Sequence, residues 1–253
     1  MFEKNFQKLM NIGSDKNLIL DDHIKKTFNK ILLPNILNFG TPVENFLEIG
    51  CGDGRYAKNI IKYVKNYIGV DIRNESLKFA KELLKKNKNA TFYKNSGHDL
   101  KEINDLSMDL IFSYQTFYYI PKKKYVFEYL DEILRVLKRN GLAKIQFSGK
   151  NIGNKVRISF VKLGQATKFY KILKFLPEDF MIPLLRFTKS KQHWGEWGVR
   201  INPSEIISYV EKKGFKTYID ISFVNGHLSS NSRSLYWLYI YKNEENIKYV
   251  KIN

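Results

Sequence analysis

Apolar and polar positions repeat with two different periods along the chain, and this pattern predicts the order of its elements. Residues 18–39 carry apolar positions at helical spacing, with Pro34 as a break or kink. After residue 40, short apolar runs of strand length alternate with amphipathic stretches of helix length. The pattern predicts strands at 43–50, 67–72, 90–95, 107–114 and 142–149, with helices at 55–66, 74–87 and 123–141. Such alternation favours right-handed βαβ units and a mostly parallel sheet, and therefore an α/β fold.

Turn and cap residues predict where several of these elements begin and end. Asn74 or Ser76 is the predicted N-cap of the second helix, and Gly141 is predicted to close the third. A capped helix is predicted at 202–215. Two further strands, at 216–224 and 234–242, are predicted to form an antiparallel hairpin through 225–233.

Residues 150–200 fit neither period, so we interpret them as a helical insertion over the sheet. We predict a single domain over residues 1–253. Its parts are an N-terminal helical cap (1–39), a cofactor-binding core (40–149), the basic insertion (150–200), and a C-terminal helix and hairpin that complete the sheet (201–253).

A glycine loop follows the first predicted strand in "FLEIGCGDGRYAKNI", residues 46–60. Gly50, Gly52 and Gly54 stand at every second position. Ligands of parallel sheets bind beyond the carboxyl ends of the strands, where glycines allow close approach of the backbone. This spacing differs from the G-x-G-x-x-G of dinucleotide sites and from the phosphate-binding loop, so a NAD-dependent oxidoreductase is disfavoured.

The loop "LEIGCGDG" resembles the first motif of the class I S-adenosylmethionine-dependent methyltransferases. The resemblance implies a Rossmann-like sheet and S-adenosylmethionine as cofactor, with its methionine part at the glycine loop. It also implies that Asp71, in "GVDI", accepts hydrogen bonds from the ribose hydroxyls and that Ile72 packs on the adenine.

Three further stretches resemble motifs of this family: "NSGHDL" at 95–100, "MDLIFSYQTFYYIP" at 108–121 and "EILRVLKRNGLAKIQF" at 132–147. Ser96 stands where Asp is frequent in the family, and Tyr119 where many members have His. The resemblance implies a set of cofactor-binding residues: Glu48, Gly50, Cys51, Gly52, Gly54, Asp71, Ile72, Gly97, His98, Asp99, Ser113 and Tyr114.

Methyl transfer is a displacement at a sulfonium whose leaving group becomes neutral, so positioning can supply most of the catalysis. His193 is a candidate general base, because an H-W pair often precedes the returning helix in sugar-modifying members of the superfamily. Tyr119, and His23 if the N-terminal helix caps the site, are the other candidates; for all three a packing role is the alternative. Aromatic side chains are candidates for stacking on an acceptor: Tyr118, Trp194 and Trp197.

The chain is strongly basic, with a formal net charge of +18. Residues 150–200 hold eleven Lys and Arg against three acidic residues. This density is compatible with a lid for an anionic acceptor, an RNA-facing surface, a membrane-surface helix, or an ordinary solvated helix face. Our leading hypothesis is methyl transfer to a small-molecule or glycan-type acceptor, at oxygen rather than nitrogen. An RNA methyltransferase and a non-catalytic, cofactor-binding partner subunit are the alternatives.

Several classes of function are disfavoured by what the sequence lacks. Cys51 is the only cysteine, so no internal disulfide and no multi-thiolate metal site is expected. The strand-four loop "SYQTFYYIP" differs from the Asp/Asn-Pro-Pro-Tyr/Phe of amino-methylating enzymes. No apolar run reaches the ~18 residues of a membrane span, and the first residues carry no signal-peptide pattern, so we expect a cytoplasmic protein.

Overall fold

The structure, a computed structural model, describes residues 14–149, 198–220 and 234–243. Within these ranges the helices are α1 (Ser14–Ile31), α2 (Leu33–Leu37), α3 (Ala57–Ile60), α4 (Asn74–Leu83), α5 (Lys123–Val136) and α6 (Pro203–Glu211). The strands are β1 (Asn45–Ile49), β2 (Asn66–Asp71), β3 (Ala90–Lys94), β4 (Met108–Ser113), β5 (Leu137–Gly149), β6 (Lys216–Asp220) and β7 (Ser234–Tyr241). A 3-10 turn spans Phe117–Tyr119.

The strands form one sheet in the order β3-β2-β1-β4-β5-β7-β6. Neighbours among β1 to β5 are parallel, whereas β7 is antiparallel to both β5 and β6. The predicted mostly parallel sheet with a C-terminal antiparallel pair is therefore confirmed. Strand order reverses between β1 and β4, and in open α/β sheets this switch point is where ligands bind.

Helices cover both faces of the sheet. Because the side chains of a strand alternate between the two faces, β1 contributes to a core on each side. Leu47 and Ile49 of β1 pack in the core that includes α5 and α6. Phe46, which directly precedes Leu47, packs in the second core, which includes side chains from α1 to α4. Among the described residues, no helix is long and apolar enough to cross a membrane.

The end of α5 differs from the prediction. The helix stops at Val136, and Gly141 lies inside β5 instead of closing the helix. A Cβ at Gly141 would lie 2.6 Å from Leu137 Cδ1 and 2.9 Å from the Met108 carbonyl oxygen. The pairing register of β4 and β5 shifts at this point, between Met108 and Leu110. Gly141 is therefore required by close strand packing, which the local sequence does not reveal.

Among the other predicted helix ends, the start of α6 agrees with the structure, whereas the start of α4 and the length of α3 differ from it. Neither Asn74 nor Ser76 is the N-cap of α4; Arg73 occupies that position, and its N–H donates to the Asp71 carboxylate at 2.9 Å. The predicted helix at 55–66 is reduced to α3. In α6 the cap is as predicted, since Asn202 accepts a hydrogen bond from the Ser204 N–H at 3.1 Å. Of the predicted basic insertion, residues 150–197 lie outside the described residues.

Candidate cofactor site

The backbone conformation of the loop after β1 requires all three of its glycines, and close contacts also require two of them. Gly50, Gly52 and Gly54 have φ angles of +78°, +54° and +80°, in the region that side chains disfavour. A Cβ at Gly50 would lie 2.0 Å from Thr116 Oγ1, and one at Gly54 would lie 3.0 Å from Ala80 Cβ. A Cβ at Gly52 would meet the Arg73 guanidinium at 3.9 Å, an ordinary contact distance, so only the backbone conformation demands glycine there.

Backbone hydrogen bonds tie this loop to the carboxyl end of β2. The Gly50 N–H donates to the Val70 carbonyl at 2.8 Å. The Gly52 N–H donates to Asp71 Oδ2 at 2.9 Å, while Asp71 Oδ1 accepts from the Arg73 N–H. Asp71 is buried, and the Arg73 guanidinium lies 3.5 Å from it. The carboxylate is thus held in one orientation beside the loop.

Ile72 forms an exposed apolar surface next to this carboxylate. Its side chain is 56% exposed, although isoleucine is usually buried. A Cβ at Gly97, whose φ is +90°, would lie 3.0 Å from Ile72 Cγ2. Ile72 and Gly97 therefore lie in contact and form a flat apolar step that is suited to an aromatic ring.

The loop after β3 is held rigid by its own polar side chains. Ser96 Oγ donates to Asp99 Oδ2 at 2.6 Å, and Asn95 Nδ2 donates to the Asp99 carbonyl at 3.1 Å. Partial burial acts to raise the pKa of Asp99, but the Ser96 hydroxyl and the Lys101 ammonium outweigh it, so the pKa lies below its ordinary value. A cavity of about 340 Å³ opens beside this loop and includes Asn95, Ser96 and Asp99 in its lining, but no residue of the glycine loop.

His98, a predicted wall residue, is held against α5. Its ring stacks on Tyr125 with centroids 4.6 Å apart and planes 10° apart. Its Nδ1 lies 3.1 Å from Glu128 Oε2, a distance that suits an ion pair but without hydrogen-bond geometry. The contact of His98 with the cofactor stays a prediction.

Glu48 and Cys51 lie beneath the loop rather than on its open side. Glu48 is 4% exposed, and its Oε2 accepts a hydrogen bond from the Tyr67 hydroxyl at 2.6 Å. Burial raises the pKa of Glu48 to about 8, against the opposing effect of that hydrogen bond. Burial likewise raises the pKa of the Cys51 thiol, so it is not a reactive thiolate. Gly69 leaves the space that Cys51 fills.

The loop after β4 closes over the end of β1. Ser113 Oγ and Thr116 Oγ1 both donate to the Ile49 carbonyl, at 2.9 and 3.3 Å. Gln115 has a φ of +56°, which is strained for a residue with a side chain, and its N–H donates to Gln146 Oε1 at 3.3 Å. Positive φ at such a residue is often found at functional sites. The sequence carries no signal for this strain.

An aromatic row continues from this loop. Tyr114 lies between Tyr56 and Trp237, with ring centroids 5.6 and 5.7 Å away. Burial raises the pKa of both Tyr56 and Tyr114, so neither phenol is ionised near neutral pH. Tyr119, on the 3-10 turn, is 48% exposed.

Helix α1 packs beside the glycine loop. Thr27 is hydrogen-bonded to the Tyr56 side chain, two residues after Gly54. Asp21 lies 3.3 Å from the Lys58 ammonium on α3. His23 is half-buried one turn before Thr27, and residues four apart lie on the same side of a helix. The role of this helix as a cap stays a prediction, and the sequence carries no signal for the Thr27–Tyr56 hydrogen bond.

Some predicted site residues are not among those that the structure describes. His193, Trp194 and Trp197 lie outside the described residues, as does the Tyr118 side chain. Within the described ranges, no three His, Cys, Asp or Glu side chains are grouped so as to hold a metal ion.

The comparisons with known proteins agree with this geometry. Residues 47–145 match a family described as a methyltransferase domain. Malonyl-(acyl-carrier protein) O-methyltransferase 2 of Ilyobacter polytropus is 34% identical over 112 residues, which cover 43% of this chain. The chain spans 41% of the length of that relative.

Solved structures share the fold at low sequence identity. A SAM-dependent methyltransferase from Methanosarcina mazei is 19% identical with a TM-score of 0.56, and the match covers 83% of this chain and 96% of that chain. A chain of the complex between the Haloferax volcanii Trm112 methyltransferase activator and a methyltransferase is 14% identical with a TM-score of 0.54, covering 89% and 96%.

The matched segment contains the glycine loop, Asp71 and the switch point between β1 and β4. Residues 47–145 are therefore similar to a methyltransferase domain, and the described fold is that of solved S-adenosylmethionine-dependent methyltransferases.

Proposed function

We propose that the protein transfers a methyl group from S-adenosylmethionine to an oxygen atom of a small-molecule or glycan-type acceptor. The observation that carries the proposal is the arrangement of three features at the carboxyl ends of β1 and β2. These are the glycine loop, the oriented Asp71 carboxylate and the exposed Ile72 beside Gly97.

The lone pairs of Asp71 fit a ribose. Each carboxylate oxygen has about two acceptor sites. Oδ2 uses one for the Gly52 N–H, and Oδ1 uses one for the Arg73 N–H. One acceptor site remains on each oxygen, which suits the two hydroxyls of a ribose. Ile72 would then pack on the adenine, and the backbone of the glycine loop would hold the methionine part.

Orientation is the main task of this site. S-adenosylmethionine supplies a methyl group on a cationic sulfur, and transfer forms a bond from acceptor oxygen to carbon, breaks the carbon–sulfur bond and releases the hydroxyl proton. Positioning alone can contribute ~7–11 kcal/mol to the barrier reduction. The hydrogen-bonded loops after β1, β2 and β4 provide such rigidity, and no described residue has to stabilise a developing anion.

The proton released from the acceptor needs a base near the carboxyl edge of the sheet. Among the described residues, His23 is the candidate that the geometry supports best, because it lies one turn from Thr27, which is hydrogen-bonded to Tyr56. An imidazole has a suitable ordinary pKa for this role. Tyr119 is an exposed second candidate, and His193 stays a prediction from the sequence.

Transfer to oxygen is supported by the Ilyobacter relative, which is an O-methyltransferase and matches 43% of this chain. An anionic acceptor is supported by the net charge of +18. Trp194, Trp197 and Tyr118 are the residues that we propose to contact the acceptor.

The proposal is tested by calorimetric titration with S-adenosylmethionine and with its demethylated product. We expect Asp71→Ala to weaken binding at least about tenfold, since two charge-assisted hydrogen bonds are lost. Asp109→Ala is the matched control, because Asp109 also accepts from a backbone N–H and a cation, but on β4 near the opposite edge of the sheet. Unchanged binding in Asp71→Ala would refute the ribose assignment.

Acceptor class is then tested with tritium-labelled cofactor. Sugars, nucleotide-sugars and carboxylate-bearing acyl compounds form one panel, and total cellular RNA forms the other. Because the strong positive charge also favours an RNA substrate, salt-resistant labelling of RNA alone would replace the leading proposal by an RNA methyltransferase. Tight cofactor binding with no transfer to any acceptor would favour a non-catalytic partner subunit.

A further inference from the structure

Lys144 is a buried lysine at the centre of the sheet. It lies on β5 and is 5% exposed. Its ammonium donates to the Ile31 carbonyl at the end of α1 and, at 2.8 Å, to Asn35 Oδ1 on α2. The rings of Trp237 and Tyr239 on β7 lie 4.9 and 5.0 Å from its Nζ. Two elements of the N-terminal cap and two aromatic faces thus surround one amine.

Stability alone does not explain a lysine at this position. Among the described residues, no carboxylate lies within ion-pair distance of Lys144. Burying a cation without such a partner is costly, but replacing the amine by an apolar group would remove the donor of both hydrogen bonds to α1 and α2. The carbonyl that it contacts belongs to the C-terminal end of α1, where the last carbonyl groups of a helix have no donor within the helix. Lys144 therefore recognises the end of α1 specifically.

Ionisable groups surround Lys144 at longer range. Glu48 and Lys144 are both cross-strand partners of Phe112, which lies between them, and Tyr239 pairs with Lys144 on the other side. Ionisable or charged groups of the neighbouring elements include Glu48 on β1, Tyr114 just after β4, Tyr239 and Tyr241 on β7, Lys216, Tyr218 and Asp220 on β6, and His23 and Lys30 on α1. His23 lies about 12 Å from Ile31 along the helix, and α2 carries no ionisable residue.

The end of α1 and the glycine loop are mechanically linked. If Lys144 holds Ile31 and Asn35 on the sheet, the preceding turn of α1 brings Thr27 to Tyr56. The ion pair of Asp21 on α1 with Lys58 is exposed and contributes little. The buried amine, with hydrogen bonds to both α1 and α2, is thus a polar restraint on the position of α1 that water does not weaken.

We infer that Lys144 is a positioning residue for the cofactor site: its buried amine fixes the end of α1 on the sheet and so holds the Thr27 side of α1 against Tyr56, beside the glycine loop. This inference rests on the proposed role of α1 as the cap of that site. Loss of the amine loosens α1 and weakens cofactor binding, although Lys144 does not touch the cofactor.

The protonation of Lys144 gives the inference a distinctive pH dependence. Burial lowers the pKa of Lys144 to about 7, and Asp220 opposes this effect. When α1 is detached, the amine regains water and its pKa returns toward 10.5. The detached state then binds more protons between about 7 and 10.5, so docking of α1 strengthens with rising pH, by up to about tenfold per pH unit.

The test is amide hydrogen exchange of residues 21–37 of the full-length protein from pH 6.5 to 9.5, corrected for the intrinsic exchange rate. We expect wild-type protection to rise with pH and Lys144→Met to show no such rise. Lys138→Met is the matched control, because Lys138 also lies on β5 but pairs with Asp109, away from α1. Equal pH dependence in wild type and Lys144→Met would overturn the inference.

Asn35→Asp is a second variant that adds no volume and keeps the amine. A carboxylate at position 35 would keep Lys144 charged, so the rise in protection should move to higher pH; an unmoved rise would contradict the inference. Calorimetric titration with S-adenosylmethionine should show several-fold weaker binding by Lys144→Met at pH 8.5, and unchanged binding would refute the link to the site. If wild type binds no cofactor, the proposed function fails, while the exchange data still report on Lys144.

Discussion

Glu48 offers a sharp test of how burial controls the loop, through the variant Glu48→Gln. The carboxyl group is 4% exposed beneath the glycine loop and accepts a hydrogen bond from Tyr67 at 2.6 Å. A glutamine has nearly the same shape and can accept the same bond through its amide oxygen, but it cannot ionise. The variant therefore removes the titration and little else.

The magnitude follows from the difference between the folded and unfolded pKa values. Burial raises the pKa of Glu48 from 4.5 to about 8, so the folded protein binds this proton more tightly than the unfolded chain. The stabilisation by the protonated form is complete below pH 4.5 and is lost as the pH rises to 8. The difference corresponds to a loss of up to about 5 kcal/mol, which Glu48→Gln does not suffer.

Chemical unfolding followed by circular dichroism, at pH values from 4.5 to 8.5, measures this effect. We expect Glu48→Gln to match wild type or be slightly less stable at pH 4.5, and to be more stable by several kcal/mol at pH 8. Lys144 titrates partly in the same window but is present in both proteins, so the difference between them isolates Glu48. Glu44→Gln is the control, since Glu44 is exposed and pairs with Lys65. A difference that stays constant with pH would refute the reasoning.

Three further predictions concern single residues. Gly50→Ala should destabilise the fold by about 2–4 kcal/mol, because it combines a positive φ with a clash against Thr116, and adding Thr116→Ala should recover part of the loss in a double-mutant cycle of unfolding free energies. Ile72→Ala should weaken S-adenosylmethionine binding by about 1 kcal/mol, or roughly fivefold in Kd, whereas Leu106→Ala, which truncates a similarly exposed leucine, should leave Kd unchanged in calorimetry. Gly141→Ala should cost about 1–3 kcal/mol in chemical unfolding through overpacking of β5, while Kd for the cofactor stays the same; a stability equal to wild type would show that this position tolerates a side chain.

Local sequence patterns predicted the strands and the type of sheet, and the family resemblance of the loop motifs implied the cofactor. Apolar positions repeat with the strand or helix period within segments of about 5 to 15 residues. Because connections between parallel strands are right-handed, only a few strand orders are then compatible with the sequence. The glycine loop and Asp71 are similarly local, because the loop directly follows β1 and Asp71 is the last residue of β2. Since parallel strands bring their carboxyl ends to one edge, these motifs meet in the structure as the sequence predicted.

Element ends depended on contacts that local patterns do not contain. Gly141 resembles a helix stop in the sequence, yet it lies inside β5 because Met108 of the neighbouring strand leaves no room for a Cβ. The start of α4 is likewise decided by Asp71, whose carboxylate accepts the Arg73 N–H.

The buried polar pairs were decided by the tertiary structure alone. Tyr67 donates to Glu48 across 19 residues, Thr116 to the Ile49 carbonyl across 67, and Lys144 to Asn35 across 109. A charged residue within an apolar strand has the same local pattern whether it is solvated or buried. Its pKa, and therefore its effect on the cofactor loop and on α1, depends on which partners the fold brings to it and how completely they exclude water.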